Sequence, residues 1–200
     1  HESLTEGRNA VLEAFRSGKT VDRLFVPDGC QDGPVKTILR EAKKQDTMVQ
    51  YVKKERLDQL SETKNHQGVI AYCAACEYAE VSDILENAKK KGEAPFIVLL
   101  DGIEDPHNLG AIIRTAETAG AHGVIIPKRR SASLTSIVYK TSAGAVSHIP
   151  VARVSNLPAT MDKLKEQNIW IYGAEMDGEN WCSVDYRGGV ALVIGSEGNG

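Results

Sequence analysis

The chain has 200 residues, of which 42% are hydrophobic and 26% are charged, as expected for a globular protein with a substantial core. Its formal net charge of −3 excludes a bulk polycation, so nucleic acid would have to bind to a local basic patch. No apolar run approaches the roughly 20 residues that cross a bilayer, and the N-terminus lacks the basic and apolar regions of a secretory signal. We therefore expect a cytoplasmic protein with no membrane association.

Helical and strand-like patterns alternate over the first 78 residues. The spacing of apolar side chains predicts a helix at Gly7–Arg16, a strand at 21–26, a helix at Val35–Lys44, and strands at 47–52 and 68–73. This pattern predicts a small α/β domain over residues 1–78. The next segment has acidic residues first and lysines last, as in a short exposed helix, and it ends at Gly92 and Pro95. We predict that residues 79–94 connect two domains.

Strands and helices also alternate over residues 95–200. The run FIVLL at 96–100 is unbroken and apolar, which is typical of a strand covered on both faces. Further strands are predicted at GVIIP, IPVARV, IWIYG and GVALVIG, with helices at Leu109–Ala119, around 134–140 and at 158–167. The alternation predicts a parallel sheet with crossover helices. The turn after the last strand should lead into another helix, which we expect to lie beyond Gly200.

The four cysteines do not form the pattern of a structural metal site. Cys73 and Cys76 make a single C-x-x-C pair, and neither Cys30 nor Cys182 has a second ligand at finger spacing. A zinc site and a redox pair are the alternatives, but reduced cysteines in a cytosolic protein explain the pattern more simply. We predict no metal.

Polar side chains crowd the turn after the first strand of the second domain, in the segment DPHNLGAIIRTAETAG. Asn108 can cap the following helix, and Gly110 allows another chain or a ligand to approach closely. Arg114 projects from the helix about one and a half turns from its predicted start. The alternative interpretation is a surface ion pair between Arg114 and Glu117 with an ordinary asparagine cap.

A second polar turn follows the last strand, in the segment LVIGSEGNG. Its glycines, at 195, 198 and 200, do not have dinucleotide-fingerprint spacing, and no Lys-Ser or Lys-Thr follows as in a P-loop. Glu197 would repel a pyrophosphate, so the turn suits a neutral or cationic ligand. S-adenosylmethionine meets that description, as do many other molecules. The alternative is a tight turn that uses glycine for its backbone conformation.

These two segments resemble the first and second signatures of the SpoU (TrmH-type) RNA ribose 2′-O-methyltransferases of the SPOUT class. HESLTEGRNAVLEAF and HQGVIAY resemble the RNA-binding domain that these enzymes carry in front, which is related to a ribosomal-protein fold. KTSAGAVSHIPVARVSNL resembles the segment between the signatures, so the likeness covers the whole chain. Within the family it is most similar to the large-subunit ribosomal RNA guanosine 2′-O-methyltransferases.

The resemblance implies a fold and an assembly. The second domain would be a parallel-sheet α/β knot, in which the chain after the second signature threads through a loop to build the cofactor pocket. We expect the third signature, and with it the C-terminal knot segment, beyond Gly200. The family likeness also implies S-adenosylmethionine as cofactor, RNA as substrate and a homodimer as the functional form.

The resemblance also implies roles for three residues at the reaction centre. Arg114 matches the arginine that the family is thought to use on the 2′-hydroxyl. A guanidinium is effectively always charged, so we expect it to bind the neighbouring phosphate and stabilise the alkoxide, with the proton leaving to phosphate or water. Asn108 and Glu197 match polar positions of the two signatures, and we expect both to orient other groups.

Two further sets of residues are predicted to bind ligands. By the same resemblance, main-chain groups of four residues would line the adenosine pocket at the carboxyl ends of two strands, namely Ala174, Ile194, Gly195 and Gly198. RNA phosphates would be contacted by local basic residues, namely Arg8, Lys128, Arg129 and Arg130. The alternative for the last three is a solvated basic loop.

Other functions fit parts of the pattern. A non-catalytic RNA-binding module would not need Asn108, Arg114 and Glu197 together. A small-molecule oxidoreductase is disfavoured by the glycine spacing. Transfer RNA is the alternative substrate to ribosomal RNA.

Overall fold

The computed structural model describes residues 3–30 and 32–196. The chain divides into two compact units, residues 1–77 and 78–200. No helix in the described part of the chain is both long enough and apolar enough to span a membrane.

The first unit is a four-stranded mixed sheet with helices on both faces. Its elements are β1 (Ser3–Glu6), α1 (Arg8–Arg16), β2 (Val21–Pro27), α2 (Gly33–Lys44), β3 (Met48–Val52), α3 (Lys54–Leu60) and β4 (Ile70–Cys73), and the strand order is β1-β4-β2-β3. β2 and β3 are parallel, and the other pairs are antiparallel. Apolar side chains of α1 and α2 pack on one face, and Leu57 of α3 packs against Phe25 and Ile70 on the other.

Two elements of this unit have no counterpart in the sequence-based prediction. β1 is a four-residue edge strand with the sequence SLTE, which offers little apolar alternation. α3 has seven residues and buries only Leu57, so its helical period is too short to stand out. Both elements are defined by tertiary pairing rather than by local sequence.

The second unit contains the predicted parallel sheet. Its elements are α4 (Val81–Lys91), β5 (Phe96–Asp101), α5 (Pro106–Thr118), β6 (Gly123–Pro127), α6 (Ser136–Thr141), β7 (Val151–Val154), α7 (Leu157–Lys165), β8 (Ile169–Gly173) and β9 (Gly189–Gly195). The strand order is β7-β6-β5-β9-β8, and every neighbouring pair is parallel. Short 3₁₀ turns lie at Ala145–Ser147 and Trp181–Ser183.

The segment 79–94, predicted as a connection, contributes to the core of the second unit. It contains α4, which ends at Gly92 in the left-handed conformation, as the glycine predicted. The helix is not simply exposed, because Ile84 and Ala88 are fully buried. Ile84 packs so closely on Gly123 of β6 that a Cβ there would lie 2.4 Å from its side chain. Because most residues of α4 are charged or polar, its narrow apolar face does not stand out in the sequence.

His122 links the start of β5 to the loop after α4. Its imidazole is buried; Nδ1 accepts the Phe96 N–H at 2.9 Å, and Nε2 lies 2.8 Å from a Glu93 carboxylate oxygen. Because Nδ1 is an acceptor, the proton of the neutral ring lies on Nε2 and is donated to Glu93. The His122 carbonyl also accepts a hydrogen bond from Asn87 of α4. One buried side chain thus holds three segments together.

We expect His122→Ala to destabilise the second unit by about 2 to 4 kcal/mol, because it leaves the half-buried Phe96 N–H without its acceptor and opens a cavity in place of a buried ring. Urea unfolding followed by tryptophan fluorescence measures this unit directly, since Trp170 and Trp181 are the only tryptophans. His148→Ala, at an exposed histidine, is the matched control and should change stability by less than about 0.5 kcal/mol. Equal urea midpoints for the two variants would show that the His122 contacts contribute nothing.

Candidate functional site

The sheet of the second unit has a topological switch point at β5. From β5 the chain continues to β6 and β7 on one side, while β9 and β8 lie on the other. Ligands in open α/β sheets bind at the carboxyl ends of the strands where the order reverses. Here the crevice lies between the ends of β5 and β9, whose last residues, Asp101 and Gly195, are paired in register.

Residues that follow three of the strands come together at this crevice. Gly102 follows β5 with φ of 74°, and a Cβ at this position would lie 3.4 Å from Oγ of Ser196, which follows β9. The same position is 3.9 Å from Nη2 of Arg130, in the loop after β6. That loop is fixed to the loop after β5 by a 2.8 Å hydrogen bond from the Ala132 N–H to the Ile103 carbonyl. The site therefore has a small neutral floor and a cation at its edge.

Three of the four predicted cofactor residues lie side by side at the carboxyl edge. Ile194 and Gly195 end β9, and Ala174 follows β8 directly. The Ala174 N–H donates to the Val193 carbonyl at 2.9 Å, which places Ala174 beside Ile194. Gly198 and the predicted orienting residue Glu197 lie outside the described residues.

The start of α5 differs from the prediction. Asp105 is its N-cap, with the carboxylate accepting the His107 N–H at 2.9 Å, and Pro106 is its first residue. Asn108 is therefore an exposed residue of the first turn and not the cap, so the predicted capping role is wrong. Asp before Pro is the stronger start signal, because Pro tolerates the first helical position and Asp accepts the free N–H groups. The role of Asn108 as an orienting group stays a prediction.

Arg114 lies in the middle of α5. It is eight residues from Pro106, or about 12 Å along the axis at 1.5 Å per residue, whereas the sequence predicted about one and a half turns from the helix start. Its side chain is exposed and makes no ion pair with any described residue, so the surface pair with Glu117 is not formed. The guanidinium is free to bind a ligand. At about 100° per residue, Arg114 shares its face of the helix with His107 rather than with Asn108.

The sequence analysis did not identify His107 as a residue on the same face of α5 as Arg114. The seven-residue spacing between His107 and Arg114 was the available signal, since it corresponds to nearly two full turns.

Gly110 does provide a close approach, but the partner is α6 of the same chain. A Cβ on Gly110 would lie 1.8 Å from Oγ1 of Thr141, at the end of α6. The same Thr141 hydroxyl lies 3.4 Å from the Pro106 carbonyl, to which it donates. The glycine thus sets how closely α6 packs on α5, the helix that carries Arg114.

The four predicted RNA-binding residues have different surroundings. Arg8, in the first unit, pairs with Asp32 at 2.5 Å and donates from Nε to the Gln67 carbonyl at 3.1 Å, so its charge supports the start of α2. Lys128, Arg129 and Arg130 follow β6 at the carboxyl edge of the second sheet. The Lys128 N–H donates to the Val154 carbonyl.

Arg129 and Arg130 are exposed and make no ion pair within residues 3–30 and 32–196. These two side chains are therefore the available cations of the basic loop. Their contacts with RNA stay predictions.

The C-x-x-C pair has the properties of ordinary buried thiols. Cys73 ends β4 with Thr5 Oγ1 3.7 Å from its sulfur, and burial raises the pKa of both the Cys73 and the Cys76 thiol. A raised pKa disfavours the thiolate that metal binding and redox exchange require. Among the residues that the structure describes, no three His, Cys, Asp or Glu side chains are grouped to hold a metal ion.

A second concave region lies on the face of β8 and β9. This groove of about 1310 Å³ is lined mainly by apolar side chains and by the segment that joins the two strands, and its lining includes Phe96, Tyr172, Ala174, Trp181, Tyr186 and Leu192. Of the predicted site residues, it includes Ala174. The groove extends to Pro95 and Gly188, which precede β5 and β9, and thus runs away from the carboxyl edge. We place the candidate site at the carboxyl edge, where the predicted residues gather.

Comparison with known proteins identifies both units. Residues 95–200 match the model of the SpoU rRNA Methylase family, and residues 4–79 match the model described as RNA 2′-O ribose methyltransferase substrate binding. The chain is 47% identical over 195 residues to a Bacillus subtilis (strain 168) protein named TrmH family tRNA/rRNA methyltransferase YacO. That alignment covers 97% of this chain and 78% of the relative.

Solved structures show the same architecture. The AdoMet-bound rRNA methyltransferase from Sinorhizobium meliloti is 25% identical with a TM-score of 0.51, covering 98% of this chain and 71% of that one. The SpoU methyltransferase AviRb from Streptomyces viridochromogenes, in complex with AdoMet, shares the fold at 23% identity. Its TM-score is 0.54, with coverage of 98% and 74%.

These matches confirm the predicted fold class, an N-terminal substrate-binding domain followed by a parallel-sheet methyltransferase domain. The predicted threading of the chain falls beyond the described residues. The chain belongs to the SpoU rRNA methylase family and is an RNA methyltransferase of the SpoU/TrmH type.

Proposed function

We propose that this protein transfers a methyl group from S-adenosylmethionine to a ribose 2′-hydroxyl of RNA, with a guanosine of large-subunit ribosomal RNA as the substrate. The observation that carries the proposal is the meeting, at the switch point, of residues that follow three of the strands, in a chain whose first unit matches a 2′-O ribose methyltransferase substrate-binding domain. Transfer between a sulfonium and a polyanion brings opposite charges together, and the strand ends offer Asp101 to the first and Arg130 to the second.

The crevice suits a sulfonium-bearing cofactor. Asp101, exposed at the end of β5, and the hydroxyl of Ser196 offer negative and neutral groups, and Gly102 leaves space above the strand ends. A sulfonium would be attracted to this carboxylate. The main chain at Ala174, Ile194 and Gly195 would hold the adenosine. When bound, the cofactor supplies an electrophilic methyl group and a neutral thioether leaving group.

The reaction requires alignment and charge stabilisation from the protein. A bond forms between the 2′-oxygen and the methyl carbon as the carbon–sulfur bond breaks, and the bonding electron pair goes to sulfur. The hydroxyl proton leaves to a phosphate oxygen or to water. Arg114 stabilises the negative charge that grows on the 2′-oxygen, and its lack of an ion-pair partner in the described chain leaves it available. Asn108 and Glu197 orient the groups around it.

Mass-spectrometric mapping of the methylated nucleotide tests this function. Full-length protein is incubated with S-adenosylmethionine carrying a labelled methyl group and, separately, with unmodified large-subunit rRNA, small-subunit rRNA or tRNA. We expect label only in large-subunit rRNA, at one guanosine, within a dinucleotide that resists alkaline hydrolysis because its 2′-oxygen is blocked. Label on a base would overturn ribose specificity, and label confined to tRNA would overturn the choice of RNA. Tight RNA binding without any transfer would indicate the non-catalytic alternative.

We further propose that the active form is a homodimer in the cytoplasm. Ile137 and Tyr139 on α6 are 40% and 46% exposed, which supports an interface near the helix that packs on α5. Sedimentation equilibrium of the full-length protein at micromolar concentration should give twice the monomer mass, and a monomer mass would contradict the proposal.

A further inference from the structure

We infer that Arg130 binds the phosphate on the 3′ side of the target ribose and so positions the 2′-hydroxyl for methyl transfer. The inference rests on the proposed function and deepens it. The sequence predicts three equivalent cations after β6, whereas the structure separates Arg130 from its two neighbours.

The backbone at Arg130 is held in an uncommon conformation that aims its side chain. Its φ of 56° lies in the left-handed region, which is unfavourable for a residue with a Cβ. The following residues hold the loop in place: the Ala132 N–H donates to Ile103, and the Leu134 N–H donates to the Tyr78 hydroxyl at 2.9 Å. The Tyr78 ring in turn lies 4.3 Å from the guanidinium carbon of Arg153. The loop is thus fixed to the loop after β5 and, through Tyr78, beside β7.

The Arg130 guanidinium is the cation that the structure places at the switch point. Its Nη2 and the Ser196 hydroxyl both lie within 4 Å of the position that a Cβ of Gly102 would occupy. Although Asp101 ends β5 and Glu104 and Asp105 lie in the loop that follows, Arg130 forms an ion pair with no described residue. Arg129, one residue earlier, is equally exposed but has no such contact with the strand ends.

A phosphate is the anion that fits this position. A guanidinium presents parallel N–H groups that match phosphate oxygens. In RNA, the 3′ phosphate is attached through the oxygen on C3′, the carbon next to the one that carries the 2′-hydroxyl. Fixing that phosphate fixes the nucleophile relative to the cofactor, which is the main protein contribution to an in-line transfer. Arg130 then takes the phosphate, and Arg114 is left for the 2′-oxygen. The carboxylate of S-adenosylmethionine offers the same chemistry and is the competing source of the anion.

Single-turnover transfer at saturating RNA and cofactor tests the inference. We expect Arg130→Ala to slow transfer by about 100-fold, and Arg130→Lys by about 10-fold, since lysine keeps the charge but loses the fork. The matched control is Arg187→Ala, an exposed arginine of the same unit that pairs with Asp185 and lies outside the predicted site, and it should leave the saturated rate within about twofold. Equal saturated rates for Arg187→Ala and Arg130→Ala would overturn the inference.

A modified substrate shows whether Arg130 acts on the phosphate itself. An RNA with an uncharged methylphosphonate on the 3′ side of the target nucleotide should slow wild-type transfer about as much as Arg130→Ala does. It should slow the Arg130→Ala variant little further, because the partner charge is already gone. If Arg130 had a purely structural role, the methylphosphonate would slow the Arg130→Ala variant by the same factor as it slows the wild-type protein.

Calorimetry distinguishes the cofactor as the source of the anion. We expect the Kd for S-adenosylmethionine to change less than about twofold in Arg130→Ala. A tenfold weaker Kd with an unaffected methylphosphonate response would assign Arg130 to the cofactor carboxylate and overturn the inference. Absence of transfer by the wild-type protein would instead reject the proposed function.

Discussion

Arg114→Lys is expected to slow methyl transfer by about 100-fold or more at saturating RNA and cofactor, without loss of folding. A fixed cation at a developing oxyanion contributes about 100- to 1000-fold to the rate in comparable sites. Lysine keeps the positive charge but presents a single ammonium on a flexible stem, so it cannot reproduce a planar fork aligned with an oxygen. The loss should therefore appear in the rate of the chemical step rather than in RNA affinity.

The structure allows this loss to be separated from destabilisation. Arg114 is exposed and forms no ion pair with the described residues, so its replacement should change the free energy of unfolding by less than about 0.5 kcal/mol. Arg187→Lys is the matched control, because Arg187 lies in the same unit and, among the described residues, pairs only with Asp185 in its own loop. Quench-flow measurement of labelled methyl transfer compares the three proteins. An unchanged rate for Arg114→Lys would remove Arg114 from the reaction centre.

Gly110→Ala is expected to destabilise the second unit by about 2 kcal/mol. The added Cβ would lie 1.8 Å from Oγ1 of Thr141, 2.8 Å from its Cβ and 3.0 Å from the backbone nitrogen of Ser142. A backbone atom cannot rotate away, so α5 and α6 must separate, and such overpacking typically costs 1 to 3 kcal/mol or more. This cost exceeds the gain of about 1 kcal/mol that alanine brings to a helix interior.

Urea unfolding monitored by tryptophan fluorescence measures the effect. Gly173→Ala is the matched control in the same unit, since nothing lies within 4 Å of the position of its Cβ. Adding Thr141→Ala to Gly110→Ala removes the nearest clashing atom, and we expect the double variant to recover part of the lost stability. A Gly110→Ala protein as stable as wild type would mean that the two helices are not held at this distance.

The sequence predicted the layout of the second sheet because parallel buried strands leave long apolar runs. FIVLL, GVIIP and GVALVIG each coincide with a strand, and the polar turns after the first and last of them meet at one edge. The order of the strands is not written in any local pattern. It follows from which helix covers which face, and it decides that β9 lies next to β5.

Two site details escaped prediction for similar reasons. Asn108 has the composition of a cap, yet Asp105 followed by Pro106 begins the helix three residues earlier. Arg130 is one of three basic residues in a row, and its contact with Gly102 depends on a left-handed backbone and on hydrogen bonds from distant residues. A single sequence carries no signal for such contacts.

The central position of β9 has a consequence for synthesis of the protein. Within the sheet, β8 pairs only with β9, which is made after it, so β8 must wait unpaired until residues 189–195 have left the ribosome. β5, β6 and β7 can associate earlier. The nascent chain therefore holds an incomplete sheet whose edge at β5 is open, and the late insertion of β9 closes that edge and creates the crevice in one step. The pairing of Asp101 with Gly195 at the switch point should thus form abruptly during translation rather than gradually.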